Sequence, residues 1–309
     1  MDEVTIWSNG TRMKGDLYRP AGHLDGKLRP AIVCCHGWAH PLKHSLAETG
    51  FPQAMAAAGY FVLAFDYRGW GASDGVPFVA EELAGGATKS ASPAAIIREV
   101  FDPLDWALDI RHAIDFIEGE AGVDRDRIGL AGWSLGGGMV VYVAANDARV
   151  KCVVGHAGAY DYRGEPSERN HFFPMWSEEQ MHEAAIQRAR GEREPGPVAI
   201  DLRDRPASAP AYRPEGQQAY RVNPDVRFFG PIAWADRVDV PVLVIDAEKE
   251  WIWDIREHGE RLAAAIGEHG RAPAEYRVLP GLEHLDIYKP SSGATEIARG
   301  WFDKHLLKA

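Results

Sequence analysis

The sequence predicts an α/β domain, a mostly parallel sheet flanked by helices and carrying an inserted cap. Three observations lead there. Short, predominantly apolar runs, Ala31 to Cys35, Phe61 to Phe65, Ile128 to Ala131, Val150 to Val154 and Val242 to Ile245, recur along the chain, and continuous rather than alternating apolar runs suit strands buried on both faces of a parallel sheet. Stretches compatible with helix lie between them, which is the order that builds strand–helix–strand units. From about Asp161 to Trp234 this alternation stops, and it resumes at Pro241 with the sheet unfinished. Residues 1–160 and 235–309 are therefore read as the core, and 161–234 as the cap.

Each element has its own reason. Glu3 to Ser8 and Thr11 to Tyr18 flank Asn9-Gly10, a two-residue hairpin signal because both turn positions need positive φ. The run Ala31 to Cys35 ends in His36-Gly37-Trp38-Ala39-His40, a loop placed to meet a ligand. Leu46 to Tyr60 reads as helix, Phe61 to Phe65 as strand, and Asp66 to Gly75 as a glycine-rich turn. Residues 76 to 100 are less regular. Asp102 to Glu118 carries Trp106, Ile110, Ala113, Ile114 and Ile117 at helical spacing. Met139 to Ala145 is compatible with helix, and the strand from Val150 ends in Gly155-His156-Ala157-Gly158. The cap shows one convincing helix, near Glu178 to Arg190. After Ile245 come an amphipathic helix from Asp254 to Gly267, a last strand from Glu275 to Leu279 and a closing helix from Thr295 to Leu307. In such a sheet the ligand site lies at the carboxyl ends of the strands.

Composition removes several classes of function. The 309 residues, 46% of them hydrophobic, can fill one large core, and the formal net charge of −11 argues against a phosphate-binding surface. Nucleic acid is not an expected partner, and a small-molecule substrate is. A homodimer is compatible with the composition without being required by it. Cys34, Cys35 and Cys152 all fall inside apolar runs, so they read as small core residues, and a reducing cytoplasm fits them. Met1-Asp2-Glu3-Val4 has no secretory pattern, and no stretch approaches the ~20 apolar residues of a membrane span. A soluble cytoplasmic protein without membrane contact is expected. His40 and His44 have the spacing of helical metal ligands, but Pro41 intervenes and no carboxylate completes a site. No metal and no cofactor is expected.

The chemistry centres on Gly132-Trp133-Ser134-Leu135-Gly136, which follows an apolar run and leads into helix. G-x-S-x-G in a strand–turn–helix context lifts a strained serine above the sheet for attack. Ser134 is the candidate nucleophile. Attack by serine needs a base, an acid that holds the base in the right tautomer, and donors for the oxyanion. His284, in the loop after the last strand, is the candidate base. Asp246, Glu248, Glu250 and Asp254 all compete for the acid, just past the strand that ends at Ile245. Asp246 abuts the strand, and a carboxylate at Asp254 is already explained by the start of a helix. The oxyanion donors are expected to be the backbone N–H groups of Leu135 and, on position alone, Trp38. His40, Trp70, His156, Trp251 and, in the cap, Phe172, Phe173 and Trp176 are candidates for an apolar substrate pocket.

Taken together, C-H-G-W at Cys35 to Trp38, F-D-Y-R-G-W-G-A-S-D-G at Phe65 to Gly75, G-W-S-L-G-G-G at Gly132 to Gly138, E-H-L-D-I-Y at Glu283 to Tyr288 and W-F-D-K-H-L near the end are far more specific than the pentapeptide. Through these segments the chain resembles the α/β-hydrolases, and within them the dienelactone-hydrolase and X-Pro-peptidase-like group. The resemblance implies the α/β-hydrolase fold with its inserted cap. It also implies that Asp66, Arg68 and Asp74 shape a structural turn, and that Glu250 is the triad acid, where relatives more often carry aspartate. The expected activity is that of a serine hydrolase cleaving a carboxylic ester or lactone of bulky apolar or aromatic character through an acyl-enzyme. Two alternatives accompany it: cleavage of an amide or of a C–C bond beside a ketone on the same triad, and a non-catalytic ligand receptor on the same fold.

Overall fold

A computed structural model describes residues 1–38, 43–79, 94–163, 178–192, 198–200 and 220–307. The chain opens with a hairpin of β1 (Asp2–Ser8) and β2 (Thr11–Tyr18), turned at Asn9 and Gly10 with φ of 45° and 83°. Then follow β3 (Arg29–Cys35), α1 (Lys43–Glu48), α2 (Phe51–Ala57) and β4 (Phe61–Phe65). The single helix expected over Leu46 to Tyr60 is instead two short ones. Gly50 takes a left-handed φ of 73°, Pro52 sits in the first turn of α2, and the Thr49 hydroxyl donates to Leu46 O and accepts from Phe51 N, so the helical ladder is interrupted there.

The irregular stretch before α3 (Pro103–Glu118) contains three short strands, β5 (Val76–Val79), β6 (Ala94–Ile97) and β7 (Val100–Phe101). Asp102 caps α3, its carboxylate accepting from Leu104 N and Asp105 N. Next come β8 (Val123–Trp133), α4 (Leu135–Ala144), β9 (Val150–His156) and α5 (Glu178–Ala189). The strands β10 (Val198–Ile200) and β11 (Tyr220–Val222) pair with each other, and β11 also pairs with β7, which ties the 161–234 insertion to the segment preceding α3. The chain finishes with β12 (Val242–Lys249), α6 (Arg261–His269), β13 (Ala274–Glu283) and α7 (Ala294–Phe302). The helix expected from Asp254 begins with a wider π-helical turn over Arg256–Glu260 before α6.

One eight-stranded sheet runs in the order β1-β2-β4-β3-β8-β9-β12-β13, antiparallel in the opening hairpin and at its junction with β4, and parallel from β4 to β13. The pleat divides its side chains between two layers. Ala31, Val33 and Cys35 point into a core with Trp106, Met139 and Leu262, on the α3, α4 and α6 side. Ile32 and Cys34 point the other way, with Phe51, Met55, Trp301 and Phe302 on the α2 and α7 side. A strand apolar on both faces is what this double burial requires. All three cysteines are buried and unpaired, and burial pushes their thiols up, away from reactivity. Among the described residues no helix is long and apolar enough to cross a membrane. Because β3, β8, β9, β12 and β13 are parallel neighbours, the loops that follow them gather at one edge of the molecule.

Candidate active site

Ser134 stands between β8 and α4 with φ 53° and ψ −122°, a conformation costly for a residue with a Cβ. Its surroundings impose that strain. Ser134 N donates to His156 O at the end of β9, and Ser134 O accepts from Gly137 N and Ala159 N. Glycine on either side is a packing requirement: a Cβ on Gly132 would lie 2.3 Å from Gly136 O, and one on Gly136 would lie 2.3 Å from Cys35 O. The second contact seats the first turn of α4 against the end of β3, the strand that leads into Trp38. Leu135 N, at the positive end of α4, thus belongs to the same strand-end cluster as Trp38. In that loop His36 Nε2 accepts from Tyr67 N at 3.3 Å, which leaves its Nδ1 to donate to Gly37 O at 2.6 Å.

The carboxylate and imidazole meet through strand register. β12 and β13 pair in parallel, and a bulge between Ala247 and Lys249 brings Lys249 opposite Glu283. The next residue on each strand is Glu250 and His284. Glu250 Oε2 lies 2.6 Å from His284 Nδ1, while Oε1 accepts from Trp251 N at 3.0 Å and Ile252 N at 2.9 Å. Both side chains are almost wholly buried, 1% exposed for Glu250 and 3% for His284. A carboxylate fixed by two backbone donors fixes in turn the proton on Nδ1, and leaves Nε2 as the basic nitrogen. Trp253 meets the imidazole edge-on at 5.1 Å, and Trp251 lies 6.3 Å away. At Nε2 the bond comes from the Tyr288 hydroxyl, at 3.1 Å.

The rival acids are engaged elsewhere. Asp254 accepts from Arg256 N and pairs with the Arg256 guanidinium, and Glu248 accepts from Gly281 N. Asp246 is wholly buried beside the Tyr276 hydroxyl, and burial reinforced by the Glu250 charge holds its carboxyl well above the usual range.

The pocket expectations divide. Trp251 stands beside the histidine. Trp70 and His156 are buried in the packed structure, 1% exposed each. The Trp70 indole donates to Val100 O and packs edge-on against Trp106. His156 stacks on Trp133 at 4.6 Å, and burial lowers its pKa to about 4. His40, Phe172, Phe173 and Trp176 lie outside the described residues, as does the His44 side chain. Among the described residues no group of three or more His, Cys, Asp or Glu could hold a metal ion. Asp66, Arg68 and Asp74 are architectural: Asp66 accepts from Lys43 N and Ala72 N, Arg68 binds Asp109, and Asp74 pairs with Arg12.

Sequence reasoning missed Tyr288, Trp253 and His258. Tyr288 is signalled only by its i+4 relation to His284. His258 Nδ1 accepts from Tyr160 N at 2.9 Å, and burial lowers its pKa to about 4. Nothing in a surface-helix pattern announces it.

Comparison with known proteins places this geometry. The chain is 27% identical over 296 residues to an uncharacterized 31.7 kDa protein of the traX-finO intergenic region in Escherichia coli, covering 91% of this chain and 93% of that one. Over 152 residues, 49% of this chain and 42% of the other, it is 30% identical to the quorum-quenching protein AidA of Acinetobacter baumannii. The crystal structure of the hypothetical protein PA2218 of Pseudomonas aeruginosa shares its fold, with a TM-score of 0.73 at 24% identity over 99% of this chain and 93% of that one. The family model of the alpha/beta hydrolase family matches residues 32–294, from β3 through the serine turn to the segment beyond His284. The chain belongs to the alpha/beta hydrolase family and is an enzyme of the hydrolase type.

Proposed function

We propose that the protein is a serine hydrolase that cleaves a carboxylic ester or lactone of bulky apolar or aromatic character through an acyl-enzyme. The observation that carries this reading is the buried Glu250–His284 pair, held at the same sheet edge as a strained serine between β8 and α4. In the reaction, Ser134 Oγ bonds to the carbonyl carbon and its proton passes to His284 Nε2. Glu250, bonded to Nδ1, stabilises the imidazolium, and the N–H groups of Leu135 and Trp38 receive the oxyanion. Collapse breaks the C–O bond, and His284 gives the proton to the departing oxygen. Water, activated by the same nitrogen, then attacks the acyl carbon, and Ser134 regains its proton as the acid leaves.

The apolar character of the substrate is supported by Trp251 and Trp253 beside the imidazole and by the charge of the insertion, where ten arginines face twelve acidic residues and offer an anion no net positive field. Residues 161–234, inserted between β9 and β12, act in this reading as a cap, with Phe172, Phe173 and Trp176 selecting the acyl group. The E-H-L-D-I-Y and F-D-Y-R-G-W-G-A-S-D-G segments support placement near the dienelactone-hydrolase and X-Pro-peptidase-like group. A cytoplasmic setting fits the three unpaired cysteines.

The test is a hydrolysis screen over aryl esters, lactones, amides and β-diketones with wild type and Ser134→Ala, together with labelling by a fluorophosphonate. Ester or lactone turnover and a label on Ser134, both lost in the variant, are expected. Turnover that survives Ser134→Ala at the wild-type rate sinks the proposal, and preference for amides or diketones reassigns the bond.

A further inference from the structure

The proposed reaction gives no role to the Tyr288 hydroxyl, which nonetheless sits at the nitrogen on which the reaction depends. A neutral imidazole whose Nδ1–H is committed to Glu250 has a single lone pair left, on Nε2. The Tyr288 hydroxyl is 3.1 Å from that atom. For Ser134 to hand over its proton, its own hydroxyl must occupy the same lone pair.

The placement of Tyr288 is built into the chain. His284 to Tyr288 form one 3₁₀ turn, closed at its start by a reciprocal capping box between Glu283 and Asp286 and anchored by Ile287, which is 3% exposed. The Asp286 carboxyl is held below its ordinary range by Lys289, so the box is made by an ionised side chain at neutral pH. The rings of His284 and Tyr288 meet edge-on with centroids 5.6 Å apart. Tyr288 itself is half-buried, at the border between the site and solvent.

We propose that Tyr288 is a positioning residue that latches the base: its hydroxyl occupies His284 Nε2 in the resting enzyme and is displaced when substrate brings Ser134 into register. The inference rests on the assignment of Ser134 and His284 made above. The latch holds the imidazole at both nitrogens, between Glu250 and Tyr288, and lowers the reactivity of the free enzyme toward anything that does not displace the phenol.

Tyr288→Phe removes one oxygen and keeps the ring. A thermal melt establishes that the variant is folded, and two measurements then decide. Breaking one hydrogen bond of ordinary net strength should raise both the second-order rate of fluorophosphonate labelling and kcat/KM for a small aryl ester by about two- to tenfold. A merely structural tyrosine gives no such gain, so unchanged or slower rates in folded Tyr288→Phe overturn the latch. The second measurement needs no turnover: the ¹⁵N signal of His284 Nε2 should move in Tyr288→Phe, and an unmoved signal also overturns the latch. Ser134→Ala, made in both backgrounds, separates the two ideas. Label that persists without Ser134 refutes the catalytic assignment, while the nitrogen signal still reports whether the phenol is bonded there.

Discussion

Among the described residues the molecule holds two groupings of serine, histidine and carboxylate, and they differ in which atoms face which. At the sheet edge, the carboxylate of Glu250 binds Nδ1 of His284, and the ties on Ser134 run through its backbone. At the other grouping, Ser8 at the end of β1 has a wholly buried hydroxyl that donates to Asp109 at 2.6 Å, accepts from Arg68 at 2.8 Å and lies 2.7 Å from His112 Nδ1. A hydroxyl has one proton and two lone pairs. With the proton given to Asp109, Nδ1 of His112 is a donor, so this histidine faces its serine the wrong way round for a base. Every valence of Ser8 is filled, and its backbone lies in an ordinary strand. The same residue types thus make a structural clamp in one place and a reactive arrangement in the other.

The largest test of this contrast exchanges the two serines in turn. Ser134→Ala should lower kcat by on the order of 10⁶, the scale set by a serine-protease nucleophile. Ser8→Ala should leave the label on Ser134 and turnover unchanged within about threefold, while lowering stability by about 1–3 kcal/mol, because it strips a partner from buried charged groups. Urea unfolding and steady-state rates measured on both variants decide it. A Ser8→Ala enzyme that folds normally but fails to turn over would erase the distinction.

The carboxylates come next. Glu250→Gln removes the charge that orders and stabilises the imidazole, with an expected loss on the order of 10⁴ in kcat, the size known for the corresponding serine-protease change. Asp109→Asn should act on stability instead. It breaks a pair in which Asp109 is fully buried and the Arg68 side chain is 11% exposed, a loss of about 3–5 kcal/mol. Denaturation midpoints and kcat, compared for both variants under identical conditions, should therefore move in opposite measures.

A third effect, smaller again at neutral pH, comes from two buried histidines that the proposed reaction does not use. Burial lowers His156 and His258 from 6.5 to about 4. In this pH range the unfolded chain binds protons that the folded chain refuses. Their contribution to stability is therefore complete above about pH 6.5 and is lost as pH falls toward 4, with a slope of up to about 1.4 kcal/mol per pH unit for each residue. The urea midpoint should fall steadily below pH 6.5, and a flat profile between pH 7 and 5 would show that these rings are not held neutral.

How much of this was legible in the sequence depended on which physical quantity carried the information. Parallel strands buried on both faces read as unbroken apolar runs, so the strands and their order along the chain could be seen, and with them the loops at one sheet edge. The serine turn was legible because Gly132 and Gly136 have no room for a side chain. The acid was not singled out by the residues alone, since four carboxylates follow Ile245. A bulge between Ala247 and Lys249 sets Glu250 against His284, and register is a property of two strands together. At Trp70 and His156 the position in the chain told which edge a residue lies near but not how deeply its side chain is buried. Tyr288 was invisible as a partner of His284 because its contact depends on the 3₁₀ turn over His284–Tyr288, which no apolar periodicity announces.

The smallest expected effect on rate is at Asp246, and it sharpens the contrast within a single strand. Asp246 and Glu250 lie four residues apart, yet Glu250 is met by two backbone N–H groups and an imidazole, while the polar group beside Asp246 is the Tyr276 hydroxyl. Burial first, and the Glu250 charge second, raise the Asp246 carboxyl well above its ordinary range. A carboxyl raised in this way favours folding only below its unfolded value, and the benefit is lost as pH rises through the folded one. As pH rises, the folded chain is therefore required to hold a proton longer than the unfolded chain does. Asp246→Asn keeps the shape and removes that requirement. The variant should resist urea better than wild type at pH 7 to 8, with the advantage shrinking toward pH 4, and its kcat should stay within about a factor of three of wild type. A loss comparable to that of Glu250→Gln would instead mean that the buried aspartate is the acid that the histidine uses.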